Sequence, residues 1–186
     1  MPILSTMKVF FSLMLFFCVS VIFAAPLDRG YPLAPGVNAS HEERDNAFIN
    51  ARYRVIEASI TYLGTPYRYG GLNSSGLDCS GFIYLSFRDA LGVSLPRSSS
   101  ALFSWAVRTS LERAQPGDLL FFRTSNTNNI THVGLYLGNR IFIHAASHGP
   151  RTGVIYSSLN EQYWANCYAG VGRVFPETSP FTVLAN

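Results

Sequence analysis

Between Asp45 and Val107 the apolar residues of this chain recur at helical spacing, whereas from Asp118 onward they come in short runs parted by turns. In the first half, Phe48, Ile49, Arg52, Ile56, Ile60 and Leu63 fall near one helical face, and Gly64 and Pro66 end that segment. A loop is expected over residues 64–76, a second helix from Asp78 to Leu91 stopped by Gly92, and a third over Ser98 to Val107. In the second half, DLLFFR (118–123), HVGLYLG (132–138) and RIFIHAA (140–146) read as strands. VIYSSL and VGRVF are weaker strand candidates around a short helix near Glu161 to Asn166. Helices first and an antiparallel sheet afterwards define an α+β domain, and the alternating pattern of a parallel sheet is missing.

Ahead of this domain, residues 8–25 read KVFFSLMLFFCVSVIFAA: one positive charge, an apolar run and small residues. That is the pattern of a secretory signal peptide, and cleavage is expected after Ala24. The apolar stretch sits at the short edge of a spanning helix, so no stable membrane insertion is expected once the leader is removed. Phe16 and Phe17 stand where a lipidation signal at Cys18 would need small residues. The organisation read from the sequence is therefore a leader (1–24), a polar, Pro- and Gly-containing arm (25–44), a folded domain (45–176) and a tail (177–186). Export to the periplasm or cell envelope follows from the leader.

Charge excludes more than it indicates. Lys8 is the only lysine, and the 13 arginines remaining without the leader face 11 acidic residues, a net charge of +2. So small and dispersed an excess does not make a nucleic-acid groove, although it tolerates an anionic polymer such as a cell wall. Hydrophobic residues make up 48 % of the chain and charged residues 13 %, values suited to a packed core.

The sharpest local motif is GLDCSGF, residues 76–82. Asp78 can cap the second helix, and Cys79 then occupies the first turn, where free N–H groups and the helix dipole favour negative charge. A thiol there is expected to have a lowered pKa and to react as the thiolate. Gly81 keeps the turn narrow, and the N–H of Cys79 or Ser80 can help hold an oxyanion. A structural cysteine near a helix end is the alternative on this motif alone.

A cysteine nucleophile needs a base, and the base needs a third group to orient it. His132 and His144 lie on two candidate strands joined by a turn at Gly138 and Asn139. With a strict two-residue turn there, His144 would oppose Val133 and the histidines would face opposite ways. An odd-length loop or a bulge at Gly138 instead makes them diagonal neighbours on one face. His132 as base and His144 as its orienting partner therefore require a bulged or three-residue turn. A zinc site on Cys79, His132 and His144 is the rival, disfavoured because no close ligand pair occurs. Zinc is therefore not expected on these residues.

GTPYRYGG, LDCSGF, LPRSS, PGDLLFF, THVGLYLG and FIHAAS occur here in an order and spacing similar to that of the NlpC-type cell-wall cysteine peptidases, in particular the Spr-type murein endopeptidases. The resemblance spans about residues 48–175. It implies a papain-like fold with Cys79 as nucleophile, His132 as base and His144 as the third polar residue. It further implies that Tyr67 lines the site and helps stabilise the oxyanion, and that Asp78 and Ser80 contact the substrate peptide. Arg97 would hold the loop beside the cleft, and Asp118 would form a turn rather than act as an acid. The implied reaction is hydrolysis of peptide bonds in peptidoglycan, in a stem or a cross-link, with a bell-shaped pH profile from a thiolate–imidazolium pair. A monomer acting on peptidoglycan peptides is expected. A catalytically inactive wall-binding module on the same fold is the alternative. Cys167 is expected to be a buried apolar cysteine.

Overall fold

The structure, a computed structural model, describes residues 40–175. The leader, all of the arm before Ser40 and the tail lie outside the described residues. Helix α1 spans His41–Ile60, four residues earlier than its hydrophobic period suggests. Its polar first turn is held by a capping box instead: the Ser40 hydroxyl accepts the Glu43 N–H at 3.1 Å, and the Glu43 carboxylate accepts the Ser40 N–H at 2.7 Å. His41 to Arg44, expected in the arm, are thus helical.

The stretch expected as a loop carries a small hairpin, β1 (Leu72–Asn73) and β2 (Gly76–Leu77), tightened by the Ser75 N–H bond to the Asn73 side chain. Helix α2 (Cys79–Leu91) follows and ends at Gly92, whose φ of +71° is the left-handed stop that glycine permits. Helix α3 (Ser99–Trp105) is shorter than expected, because Val107–Thr109 leave it to form the edge strand β3. The remaining strands are β4 (Leu119–Phe122), β5 (His132–Gly138), β6 (Ile141–Ala146), β7 (Gly153–Ser158) and β8 (Tyr168–Arg173), with helix α4 (Gln162–Cys167) before the last.

These form one antiparallel sheet in the order β3-β8-β4-β5-β6-β7. Strand alternation divides the core into two layers. Leu119, Phe121, Val133, Leu135 and Ile143 pack with Phe82, Ile83 and Phe87 of α2, whereas Leu120, Phe122, Tyr136 and Phe142 pack with Trp164 of α4. With apolar cover on both faces, β4 reads as an unbroken LLFF run.

One buried charge ties the layers together. Asp118 has no exposed surface and pairs with Arg52 of α1 and Arg173 of β8, each at 3.0 Å. It also accepts the Gln115 N–H, so the expected turn is present, but its main partners are two buried arginines. Asp118→Ala would leave both guanidinium groups without this carboxylate. We expect a loss of about 3–5 kcal/mol, read as a lowered urea midpoint. A midpoint within error of the parent protein would show that this ion pair does not hold α1 to the sheet.

Candidate active site

Cys79 opens α2 because Asp78 caps it: the Asp78 carboxylate accepts the Gly81 N–H at 2.6 Å. That carboxylate is held from outside the helix by Arg97, whose two terminal nitrogens reach it at 2.9 and 3.2 Å. Arg97 also bonds the Ser80 hydroxyl at 2.9 Å and the Gly71 carbonyl at 3.0 Å. One guanidinium therefore fixes both residues flanking the cysteine and the glycine loop before it. The approach requires Gly81, since a Cβ there would fall 2.3 Å from the Gly71 carbonyl oxygen. Burial opposes the charge on Asp78, yet the Arg97 bonds and the Gly81 N–H hold its carboxyl below the usual range.

Cys79 is buried, and its sulfur receives backbone N–H groups from Val133, Ser80 and its own residue. Val133 follows His132 in β5, so the sulfur sits at the start of that strand. Burial, followed by the nearby Asp78 charge, pushes the thiol up to about 11, against the pull of the three N–H groups. The expectation of a lowered thiol pKa is thereby corrected: in this closed site desolvation outweighs the helix terminus.

The β5–β6 hairpin has the bulge that the histidines require. Tyr136 pairs with Phe142 and Gly138 with Ile141, leaving Leu137 as the extra residue. The two-residue turn is Asn139 and Arg140, at φ +50° and +64°, a mirror-image turn that suits the sheet twist. Leu135 opposite Ile143 sets Gly134 against His144 and places His132 one step along the same face. His132 Nε2 lies 2.8 Å from His144 Nδ1, with the rings perpendicular. Burial depresses His132 to about 4 and drives His144 well below its ordinary value, so both imidazoles are neutral at pH 7. The hydrogen bond uses the two facing nitrogens that a shared zinc would need.

With this geometry in place, comparison with known proteins is decisive. Residues 64–173 match the NlpC/P60 family. The chain belongs to this family. It is 36 % identical over 140 residues to Murein DD-endopeptidase MepS/Murein LD-carboxypeptidase of Escherichia coli K12, covering 74 % of this chain and 72 % of that protein. It is 44 % identical over 111 residues to the probable endopeptidase NlpC of the same organism, covering 60 % and 70 % respectively. Among solved structures, an NLP/P60-family protein similar to a lipoprotein, from Staphylococcus aureus, aligns with a TM-score of 0.58 at 34 % identity. That alignment covers 68 % of this chain and 42 % of the other, so this chain spans less than half of that protein. The peptidoglycan hydrolase RipB of Mycobacterium tuberculosis aligns with a TM-score of 0.57 at 25 % identity, over 71 % of this chain and 68 % of that one.

Within this NlpC/P60 domain, three neighbours of the histidines escape a reading of the sequence. Trp164 stacks on His132 with centroids 5.3 Å apart and meets His144 edge-on at 4.7 Å. Ser157 places its hydroxyl 3.1 Å from His144 Nε2. Gly134 leaves the space into which His144 fits. Trp164 lies 32 residues after His132, and no local pattern announces its contact. Tyr67, as the resemblance implies, lies beside the cysteine: burial raises its phenol, and the neighbouring Cys79 and Asp78 add to the shift. Cys167 is only partly buried and lies beside Tyr163, and neither Cys79 nor Cys167 is in a disulfide. An open groove of about 680 Å³ runs from His132 past Ser157 and Trp164 to Arg151 and His148.

A Cβ on residue 134 would stand 2.7 Å from the Phe142 ring and 3.2 Å from the His144 Cβ. Gly134→Ala should therefore push His144 away from His132. We expect kcat on wall peptides to fall by at least about tenfold, the scale of a misplaced catalytic group. Unchanged kcat in the folded variant would show that the pair tolerates the added methyl.

Proposed function

We propose that this protein is an exported cysteine endopeptidase that hydrolyses peptide bonds of peptidoglycan, in stem peptides or in the cross-links between them. The hydrogen bond from His132 to His144, at the strand that receives the Cys79 sulfur, carries the reading. His132 Nε2 is engaged by His144, which leaves Nδ1 as the ring nitrogen to take the thiol proton. Cys79 attacks the amide carbonyl as its proton passes to His132. The roles of stabilising the developing oxyanion fall to the N–H groups around the sulfur and to Tyr67, which lies near Cys79. The imidazolium then gives its proton to the leaving amine as the C–N bond breaks. Water, deprotonated by His132, hydrolyses the thioester and restores the thiol.

Asp78 and Ser80, held by Arg97, form the wall against which the substrate peptide lies. The E. coli relative whose name includes murein DD-endopeptidase supports the cross-link as one target. No helix of the described residues is long and apolar enough to cross a membrane. Work in the periplasm or cell envelope, as a monomer with no metal or cofactor, completes the proposal.

The deciding experiment incubates purified cross-linked and monomeric wall peptides with the mature protein and with Cys79→Ala, and weighs the products. Cleavage that vanishes in the variant is expected, and the fragment masses name the bond. Binding without cleavage by either folded protein would replace the enzyme by a wall-binding module.

The charge states predict the pH profile. His132 works as a base only while neutral, so kcat/KM should fall as pH drops through its depressed value of about 4. On the alkaline side the Cys79–His132 pair loses the proton that the leaving amine needs, as pH rises toward the thiol's value of about 11. An acid limb centred near the ordinary histidine value of 6.5 would contradict a buried, neutral His132.

A further inference from the structure

Ser157 does more than fill the floor of the groove. We infer that Ser157 is a positioning residue: through its hydrogen bond to His144 it selects the tautomers that leave His132 free to act as base. The inference rests on the proposed endopeptidase mechanism and extends it by one residue.

Three groups lie in series: His132 Nε2 is 2.8 Å from His144 Nδ1, and His144 Nε2 is 3.1 Å from Ser157 Oγ. A neutral imidazole has one donor nitrogen and one acceptor nitrogen. The series therefore has two proton arrangements. In the first, His132 Nε2–H donates to His144 Nδ1, His144 Nε2–H donates to Ser157, and His132 Nδ1 is bare. In the second, Ser157 donates to His144 Nε2, His144 Nδ1–H donates to His132 Nε2, and His132 Nδ1 carries a proton. Only the first can accept a proton from Cys79.

The surroundings favour the first. His144 has no exposed surface, so its Nε2–H has Ser157 as its acceptor and no solvent to turn to. Ser157 is 6 % exposed and lines the groove, so its own proton can point outward and leave a lone pair for His144. The acceptor becomes indispensable once His132 is an imidazolium. Both nitrogens of His132 are then donors, His144 Nδ1 must accept, and His144 Nε2–H must be received by Ser157. Strand pairing delivers the hydroxyl: His144 opposes Ile155 across β6 and β7, and alternation puts Ser157 on the same face as Ile155. Ile155 lines the groove with Ser157.

Ser157→Thr and Ser157→Val test this at constant shape, since the two differ by a hydroxyl against a methyl and both suit a strand. Steady-state cleavage of purified cross-linked wall peptide should show Ser157→Thr near the parent protein. Ser157→Val should lose about 10- to 100-fold in kcat with KM unchanged, the scale of losing an orienting partner. Imidazole ¹⁵N spectra supply a readout independent of turnover: His144 should carry its proton on Nε2 in the parent and in Ser157→Thr, and on Nδ1 in Ser157→Val. Parent-like kcat in Ser157→Val, or a His144 proton on Nε2 in all three proteins, would overturn the inference. Should the parent cleave no wall peptide, the endopeptidase reading falls, and the ring-nitrogen signals alone decide the role of Ser157.

Discussion

Leu137 has no partner across the β5–β6 hairpin, and the contacts of the two histidines depend on that one unpaired residue. Side chains alternate along a strand, so a slip of one residue would move His144 to the face packed on α2 and leave His132 alone on the Trp164 face. The bulge costs a ladder hydrogen bond and is offset by the tight turn at Asn139 and Arg140. Gly134 completes the arrangement, because the residue opposite His144 must be small enough to let it lie against the sheet. The hydrogen-bonded histidine pair is thus a property of strand-pairing geometry.

The layer that receives the histidines is aromatic and buried. Phe122, Phe142 and Trp164 surround the two rings, and their low polarity keeps both imidazoles neutral. The same desolvation raises the Cys79 thiol. On the proposed mechanism the Cys79–His132 pair is neutral at rest, and charge separates only as the sulfur attacks.

Two arginine clusters secure this geometry from either side. Arg97 binds Asp78, Ser80 and the Gly71 carbonyl, so one side chain joins the helix start to the loop before it. Arg52 and Arg173 converge on Asp118 beneath β4 and bring α1 and β8 into register with the central strands. All three arginine–carboxylate contacts lie in partly or fully buried surroundings, where a fork-shaped donor holds orientation better than a point charge.

Local signals alone set the limits of α2, since Asp78 caps it and Gly92 ends it, and the place of Cys79 in the first turn follows. The α+β order, the runs that become β4 to β6, and the need for a bulge between the histidines were also legible, because each depends on neighbours within a few residues. The motif resemblance extended this to Tyr67 and Arg97. The early start of α1 is equally local, set by the Ser40–Glu43 capping box that the hydrophobic period misses. Folding alone decided the rest. The β1–β2 hairpin and the edge strand β3 lack a hydrophobic period of their own and form through partner strands. Trp164 and Ser157 reach the histidines across separate strands and a helix. Asp118 reads as a turn residue until α1 and β8 bring it two arginines. The charge state of Cys79 had the same character: the helix start argued for a thiolate, but desolvation is a sum over atoms from distant segments, and only the packed structure contains that sum.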